Sequence, residues 1–158
     1  MEFAIRCAKP GDEDIILSLL YELAEYEKLA HKYTITREIV MRDYICDHPP
    51  IHTDLAYADG KPAAIATWYW TYSTFAAARG MFLEDLFVRP EFRNNGIGKA
   101  LLANLAKRAA AANAAHIEWL VLDWNEPSIR FYESLGAQRL KNWHNYRLGG
   151  DALRKLGA

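Results

Sequence analysis

Apolar positions along this chain change their period several times, and each change marks an element. Ile16, Leu19, Leu20 and Leu23 recur at helical spacing. Ahead of them, Lys9-Pro10-Gly11-Asp12 breaks the chain between a strand over Phe3 to Ala8 and a helix capped by Asp12. A second helix is predicted from Thr36, its cap, to about Cys46, where His48-Pro49-Pro50 ends it. Strand-like stretches follow: His52 to Ala58 and Pro62 to Tyr72 flank Asp59-Gly60 and read as a hairpin. Met81 to Val88 is the next predicted strand. Helical spacing returns in Ile97, Leu101, Leu102, Leu105 and Ala109, for a helix over Gly98 to Ala112. Ile117 to Asp123 reads as a strand, Pro127 to Leu135 as a helix closed by Gly136, and Gln138 to Leu148 as a last strand. The order is that of a mixed α+β fold.

The junction between the strand ending at Val88 and the helix beginning near Gly98 carries most of the chemistry. Its sequence, Arg93-Asn94-Asn95-Gly96-Ile97-Gly98-Lys99, opens a helix with two glycines between two cations. The free N–H groups of a first helical turn and the positive end of its dipole favour an anion. Gly96 and Gly98 allow close backbone approach, and Arg93 and Lys99 add charge at either end. The segment therefore reads as a pyrophosphate cradle. A dinucleotide fingerprint would need a third glycine where Leu101 stands, and a P-loop would need glycine at Arg93 and Ser or Thr at Ala100. Asn95-Gly96 is also a hairpin signal, but a long helical pattern follows it instead of a second strand.

With a Leu-Glu-Asp-Leu-Phe-Val strand ahead of Arg93-x-x-Gly96-x-Gly98, the chain resembles the GCN5-related N-acetyltransferase (GNAT) superfamily. The stretch from Asp123 through Asn125, Pro127, Arg130, Phe131 and Tyr132 to Ala137 looks like that family's next strand, helix and turn. Glu22-Leu23-Ala24-Glu25-Tyr26-Glu27-Lys28-Leu29 is similar to its diamine and polyamine branch, notably to thialysine N-epsilon-acetyltransferases. The resemblance spans about residues 3 to 148. It implies a single domain over 1–158 with a mixed, mostly antiparallel central sheet flanked by helices, and acetyl-CoA as co-substrate. It also implies coenzyme contacts from Leu86, Phe87 and Val88, from Arg93, Asn94, Asn95, Gly96, Ile97, Gly98 and Lys99, and from Asn125, Ser128 and Tyr132.

Acetyl transfer to an amine needs an uncharged nitrogen, and a free alkylamine has a pKa of about 10.4, so a group must take its proton. Glu84 is the candidate base, directly or through water. Adjacent strand residues point to opposite faces, so Glu84 and Asp85 share a pocket only if a bulge intervenes. Asp85 is a second electrostatic contact or a structural partner, and Glu84 has the plainer reading of a surface carboxylate. Tyr132 read from residues alone is a core aromatic; the resemblance places it as the acid that protonates the leaving thiolate. Asn125 serves equally as the cap of the helix entered at Pro127. Neither Cys7 nor Cys46 lies in the matching motifs, so direct attack in a ternary complex is expected, with no acyl-enzyme.

A diamine carries a second ammonium to be held, and Tyr26 and Glu27 are the candidate residues. The stripe Ile16, Leu20, Leu23 extends by one helical step to Glu27. The other acids of residues 12 to 27 read as a solvated face. Trp68, Tyr69, Trp70, Tyr72 and Phe75 are either core or the wall of a cation site. The spermine-type branch carries further acids where this chain has Lys28-Leu29-Ala30-His31-Lys32, which favours a shorter diamine or a lysine-like amino acid.

Composition fits one enzyme-sized domain: 158 residues, 51% hydrophobic, 25% charged. A net charge of −1 offers no general attraction to nucleic acid. Two cysteines point to a reducing compartment, and the absence of a membrane-length apolar run or signal-like start makes the expected location cytoplasmic. The five histidines show no ligand spacing, and no metal is expected. The aromatic segments Trp68 to Phe75 and Trp143 to Tyr146, with the resemblance, predict a homodimer. A protein or antibiotic acetyltransferase and a non-catalytic CoA-binding module are the competing readings.

Overall fold

A computed structural model describes residues 1–158, which divide into two compact units, Met1–Leu120 and Val121–Ala158. The first unit begins with β1 (Phe3–Cys7), α1 (Glu13–Tyr26) and α2 (Arg37–Asp43). It continues through β2 (His52–Ala58), β3 (Lys61–Ser73), β4 (Ala78–Val88), α3 (Ile97–Ala111) and β5 (Ile117–Glu118). The sheet runs in the order β1-β2-β3-β4-β5, antiparallel except for the parallel pair β4–β5. It is thus the mixed, mostly antiparallel sheet expected.

The two helical layers lie on opposite faces of this sheet, as neighbouring residues of β2 show. Leu55 packs with Ile65 and Phe87 against the α1 residues Ile16, Leu19, Leu20 and Leu23, all buried. Asp54, pointing the other way by strand alternation, meets Arg108 of α3, whose Nη1 and Nη2 donate to its two carboxylate oxygens at 2.8 and 3.2 Å. Trp68 Nε1 adds a third bond at 3.1 Å. Asp54 is wholly buried, so these donors supply what water would otherwise provide.

Caps follow the sequence with one exception. Thr36 accepts from the Ile39 N–H at 3.3 Å and so opens α2. Asp12 precedes α1 but makes no side-chain cap. Its carboxylate instead receives Arg6 at 2.7 and 2.8 Å and the Lys9 N–H at 2.8 Å, tying β1 to the turn before the helix.

Two strand expectations are corrected. The predicted strand from Ile117 to Asp123 is reduced to Ile117–Glu118, paired only with Met81 and Phe82. Parallel pairing stops two residues before a bulge at Glu84, where β4 bends. No strand pairs with β4 on that side beyond Phe82. In the second unit, α4 (Glu126–Ser134) is the predicted helix and Gly136 follows it at φ +89°. Gln138 to Leu148 is not a strand, and Leu140, Trp143, Tyr146 and Leu148 are exposed. Apolar spacing sustains a strand only where an edge accepts its backbone. A helix that the pattern did not signal, α5 (Gly150–Leu156), ends the chain. No helix is long and apolar enough to cross a membrane.

Candidate acetyl-transfer site

The bulge in β4 brings two carboxylates together. Thr67 of β3 pairs with Asp85 and Trp68 pairs with Leu83, so Glu84 is the extra residue and both acids oppose Thr67. The Thr67 hydroxyl donates to Asp85 Oδ2. Burial pushes the Asp85 carboxyl up from 3.8 to about 6, the Thr67 bond opposing it and the charges of Glu84 and Glu27 adding to it. Glu84 itself is exposed. Its charge also reaches Tyr44, which burial, then Asp85 and Glu84, push up to about 12.

Asp85 lines a pocket of about 220 Å³ together with residues of α1 and of the segment after it. Leu20, Leu23, Leu29 and Ile35 supply apolar walls, while Glu27 and Lys32 bring one charge of each sign. Burial raises the Glu27 carboxyl above its ordinary value. The step from Leu20 and Leu23 to Glu27 along α1, legible in the sequence, is what aims this acid inward. Tyr26, one residue earlier, is not among the lining residues. Its ring lies under the Arg93 guanidinium, 4.9 Å from centroid to Cζ.

Arg93 belongs to the loop that the sequence marked as a pyrophosphate cradle. Pro90–Phe92 forms a short 3₁₀ turn, after which Arg93 Nε donates to the Val88 carbonyl at 2.8 Å. The same guanidinium lies 5.7 Å from the Phe87 ring centroid. Asn95 Nδ2 donates to the Arg93 carbonyl at 2.9 Å. Asn94 and Gly96 adopt φ +62° and +80°, and α3 begins immediately after, with Ile97 buried as its anchor. Left-handed residues ahead of a helix N-terminus turn successive N–H groups toward one side, as anion sites require. Gly98 lies in the first turn, and Lys99 beside it is exposed. Leu86, Phe87 and Val88 occupy the part of β4 that β5 leaves unpaired, so their backbone is the natural edge for an amide-bearing arm.

In the second unit, Asn125 Oδ1 accepts from the Ser128 N–H at 3.4 Å and caps α4, with Asn125 itself buried. Tyr132 follows on the same helix, its ring 5.3 Å from that of Phe131. The first unit thus gathers Tyr26, Glu27, Glu84, Asp85, Leu86–Val88 and Arg93–Lys99, and the second gathers Asn125, Ser128 and Tyr132. Sequence reading missed Thr67 and Lys32. Thr67 is found only once the β3–β4 register is known, and the sequence marks Lys32 only as a cation within Lys28–Lys32, where the spermine-type branch has acids.

Comparison with known proteins identifies the family. Residues 17–137 match the acetyltransferase (GNAT) family. The chain is 36% identical over 163 residues to a thialysine N-epsilon-acetyltransferase of Sus scrofa, covering 96% of this chain and 95% of the relative. It is 28% identical to the L-ornithine N5-acetyltransferase NATA1 of Arabidopsis thaliana, covering 96% and 86%. An integron cassette protein from the mobile metagenome of V. cholerae shares the fold, with a TM-score of 0.83 over 99% of this chain and 98% of that one at 23% identity. The chain belongs to the acetyltransferase (GNAT) family and is an N-acetyltransferase.

Proposed function

We propose that the protein transfers the acetyl group of acetyl-CoA to the primary amine of a small diamine, polyamine or lysine-like amino acid. The pocket holding Glu27 and Asp85 among apolar walls carries this reading. Its volume of about 220 Å³ is below the roughly 300–1,000 Å³ of sites for drug-sized ligands. A short aliphatic amine fits it better than an antibiotic or a protein segment does. The names of relatives that act on thialysine and ornithine support the same size of acceptor.

In this reading the loop Arg93–Lys99 holds the pyrophosphate and the free edge of Leu86–Val88 receives the pantetheine arm. Glu84, directly or through water, takes a proton from the amine. The nitrogen attacks the thioester carbon, the C–N bond forms, the C–S bond breaks, Tyr132 protonates the departing thiolate, and the second proton that the nitrogen sheds as the amide forms restores the Tyr132 hydroxyl through solvent. Asp85 and Glu27 hold positive charge on the acceptor. The whole chain works as one domain, and as a homodimer. Phe75, Trp143 and Tyr146, which are 96%, 71% and 91% exposed, support an interface between copies.

The test is an amine panel with acetyl-CoA, read by release of free thiol. Diamines and diamino acids are expected to be consumed, with acetylated product recovered in equal amount. Thiol release that no small amine accelerates would refute the proposal.

A further inference from the structure

The pocket of the proposed amine site contains one cation. Lys32 stands at the end of the 3₁₀ turn Ala30–Lys32 and lines the same cavity as Glu27 and Asp85. It is exposed, and its ammonium enters none of the chain's ion pairs. A site built only to hold a diamine gains nothing from a positive charge at its rim, because like charges repel the ligand.

We propose that Lys32 selects acceptors bearing an α-carboxylate, so that the preferred substrate is a diamino acid in its zwitterionic form and not a bare diamine. This rests on reading the pocket as the amine site. The charges match group for group. A diamino acid presents two ammoniums and one carboxylate, and the pocket presents two carboxylates and one ammonium. With its carboxyl titrating at about 6, Asp85 is mostly ionised at neutral pH. Leu20, Leu23, Leu29 and Ile35 are suited to the methylene or thioether chain that separates the two ends. The Tyr33 hydroxyl beside Lys32 is engaged, donating to the Leu17 carbonyl at 2.9 Å.

The experiment compares amino acids with their decarboxylated partners: L-lysine with cadaverine, L-ornithine with putrescine, and S-(2-aminoethyl)-L-cysteine with bis(2-aminoethyl) sulfide. The wild type is expected to show the higher kcat/KM for the amino acid of each pair. Lys32→Gln should lower kcat/KM for the amino acid by about 10- to 100-fold, mainly through KM, the range for losing a charge-assisted hydrogen bond. It should leave the diamine within about threefold, or improve it by removing repulsion. Unchanged diamine turnover also establishes that the variant is folded. Lys32→Glu should reverse the preference. Lys107→Gln, an equal change in charge on the exposed side of α3, should alter neither rate. A wild type that prefers the diamines, or a Lys32→Gln that slows both members of each pair equally, overturns the role of Lys32 and leaves the amine site standing. A wild type that acetylates no member of any pair overturns both.

Discussion

The Arg93 guanidinium lies over the Tyr26 ring, 4.9 Å from its centroid. This contact joins the loop ahead of α3 to the last turn of α1, the helix whose Leu20, Leu23 and Glu27 line the pocket. Arg93 is thereby oriented by an aromatic face and by its Nε bond to the Val88 carbonyl; in the proposed function its terminal amino groups bind a phosphate. If the loop Arg93–Lys99 holds the coenzyme as proposed, Tyr26 positions that loop. Tyr26→Leu is expected to raise KM for acetyl-CoA about 3- to 30-fold, since a cation–π contact contributes about 0.5–2 kcal/mol. Tyr26→Phe keeps the ring and should be close to wild type. Equal effects of the two substitutions on KM would show that the stacked ring is irrelevant.

Gly96 holds φ +80° just before α3, and a Cβ built there meets nothing within 4 Å. Any cost of substitution in the free protein is therefore one of backbone conformation. Gly96→Ala is expected to lose about 1–2 kcal/mol, a fall in Tm of roughly 2–8 °C. It should keep most of the thermal shift produced by acetyl-CoA. Gly96→Glu has the same backbone cost but sets a carboxylate against the pyrophosphate, and should lose that shift. At a hundredfold excess over Kd the shift corresponds to about 2.7 kcal/mol, well within reach of differential scanning fluorimetry.

The raised Asp85 carboxyl makes a signed prediction about pH. Its folded value of about 6 exceeds the ordinary 3.8 of an unfolded chain, so the fold favours the protonated acid. That stabilisation is fully present below about pH 4 and is lost as pH rises through about 6. Asp85→Asn stays neutral throughout and can still accept the Thr67 hydroxyl. Its Tm relative to wild type is expected to climb between pH 4 and 6 and to stay level above. Activity should move the other way: kcat/KM for the amine in the wild type rises through about pH 6, and Asp85→Asn is slower and lacks this limb. Melting curves for the two proteins that remain parallel across this range would contradict the shift.

Tyr132→Phe removes one hydroxyl from α4 and no carbon. If that hydroxyl protonates the thiolate, kcat should fall by about 10²-fold while KM for acetyl-CoA is nearly unchanged. Acceptors are held by Glu27 and Asp85 in this account, so the fall should be the same for every amine. Steady-state kinetics at saturating acetyl-CoA decide it; a full kcat in the variant would remove Tyr132 from the chemistry.

Period alone determined most of the elements. The stripe of Ile16, Leu19, Leu20 and Leu23 is a one-dimensional record of one buried helical face, and Asp59-Gly60 and Gly96 mark places where the backbone must adopt positive φ. The turn Arg93–Lys99 into α3 was legible for the same reason, because its glycines and positive-φ residues sit in contiguous backbone. Glu27 was legible because one helical turn links it to that stripe. Four features were decided by the tertiary structure alone. The bulge that sets Glu84 and Asp85 against Thr67 depends on the register between β3 and β4, and alternation within one strand cannot report it. The elevated proton affinity of Asp85 depends on burial and on Glu27, 58 positions away in the chain. Lys32 acquires meaning only when the turn after α1 folds it to the rim of the same cavity. Gln138 to Leu148 had the spacing of a strand but its backbone joins no sheet, since local pattern supplies a face while backbone hydrogen bonds need a neighbour.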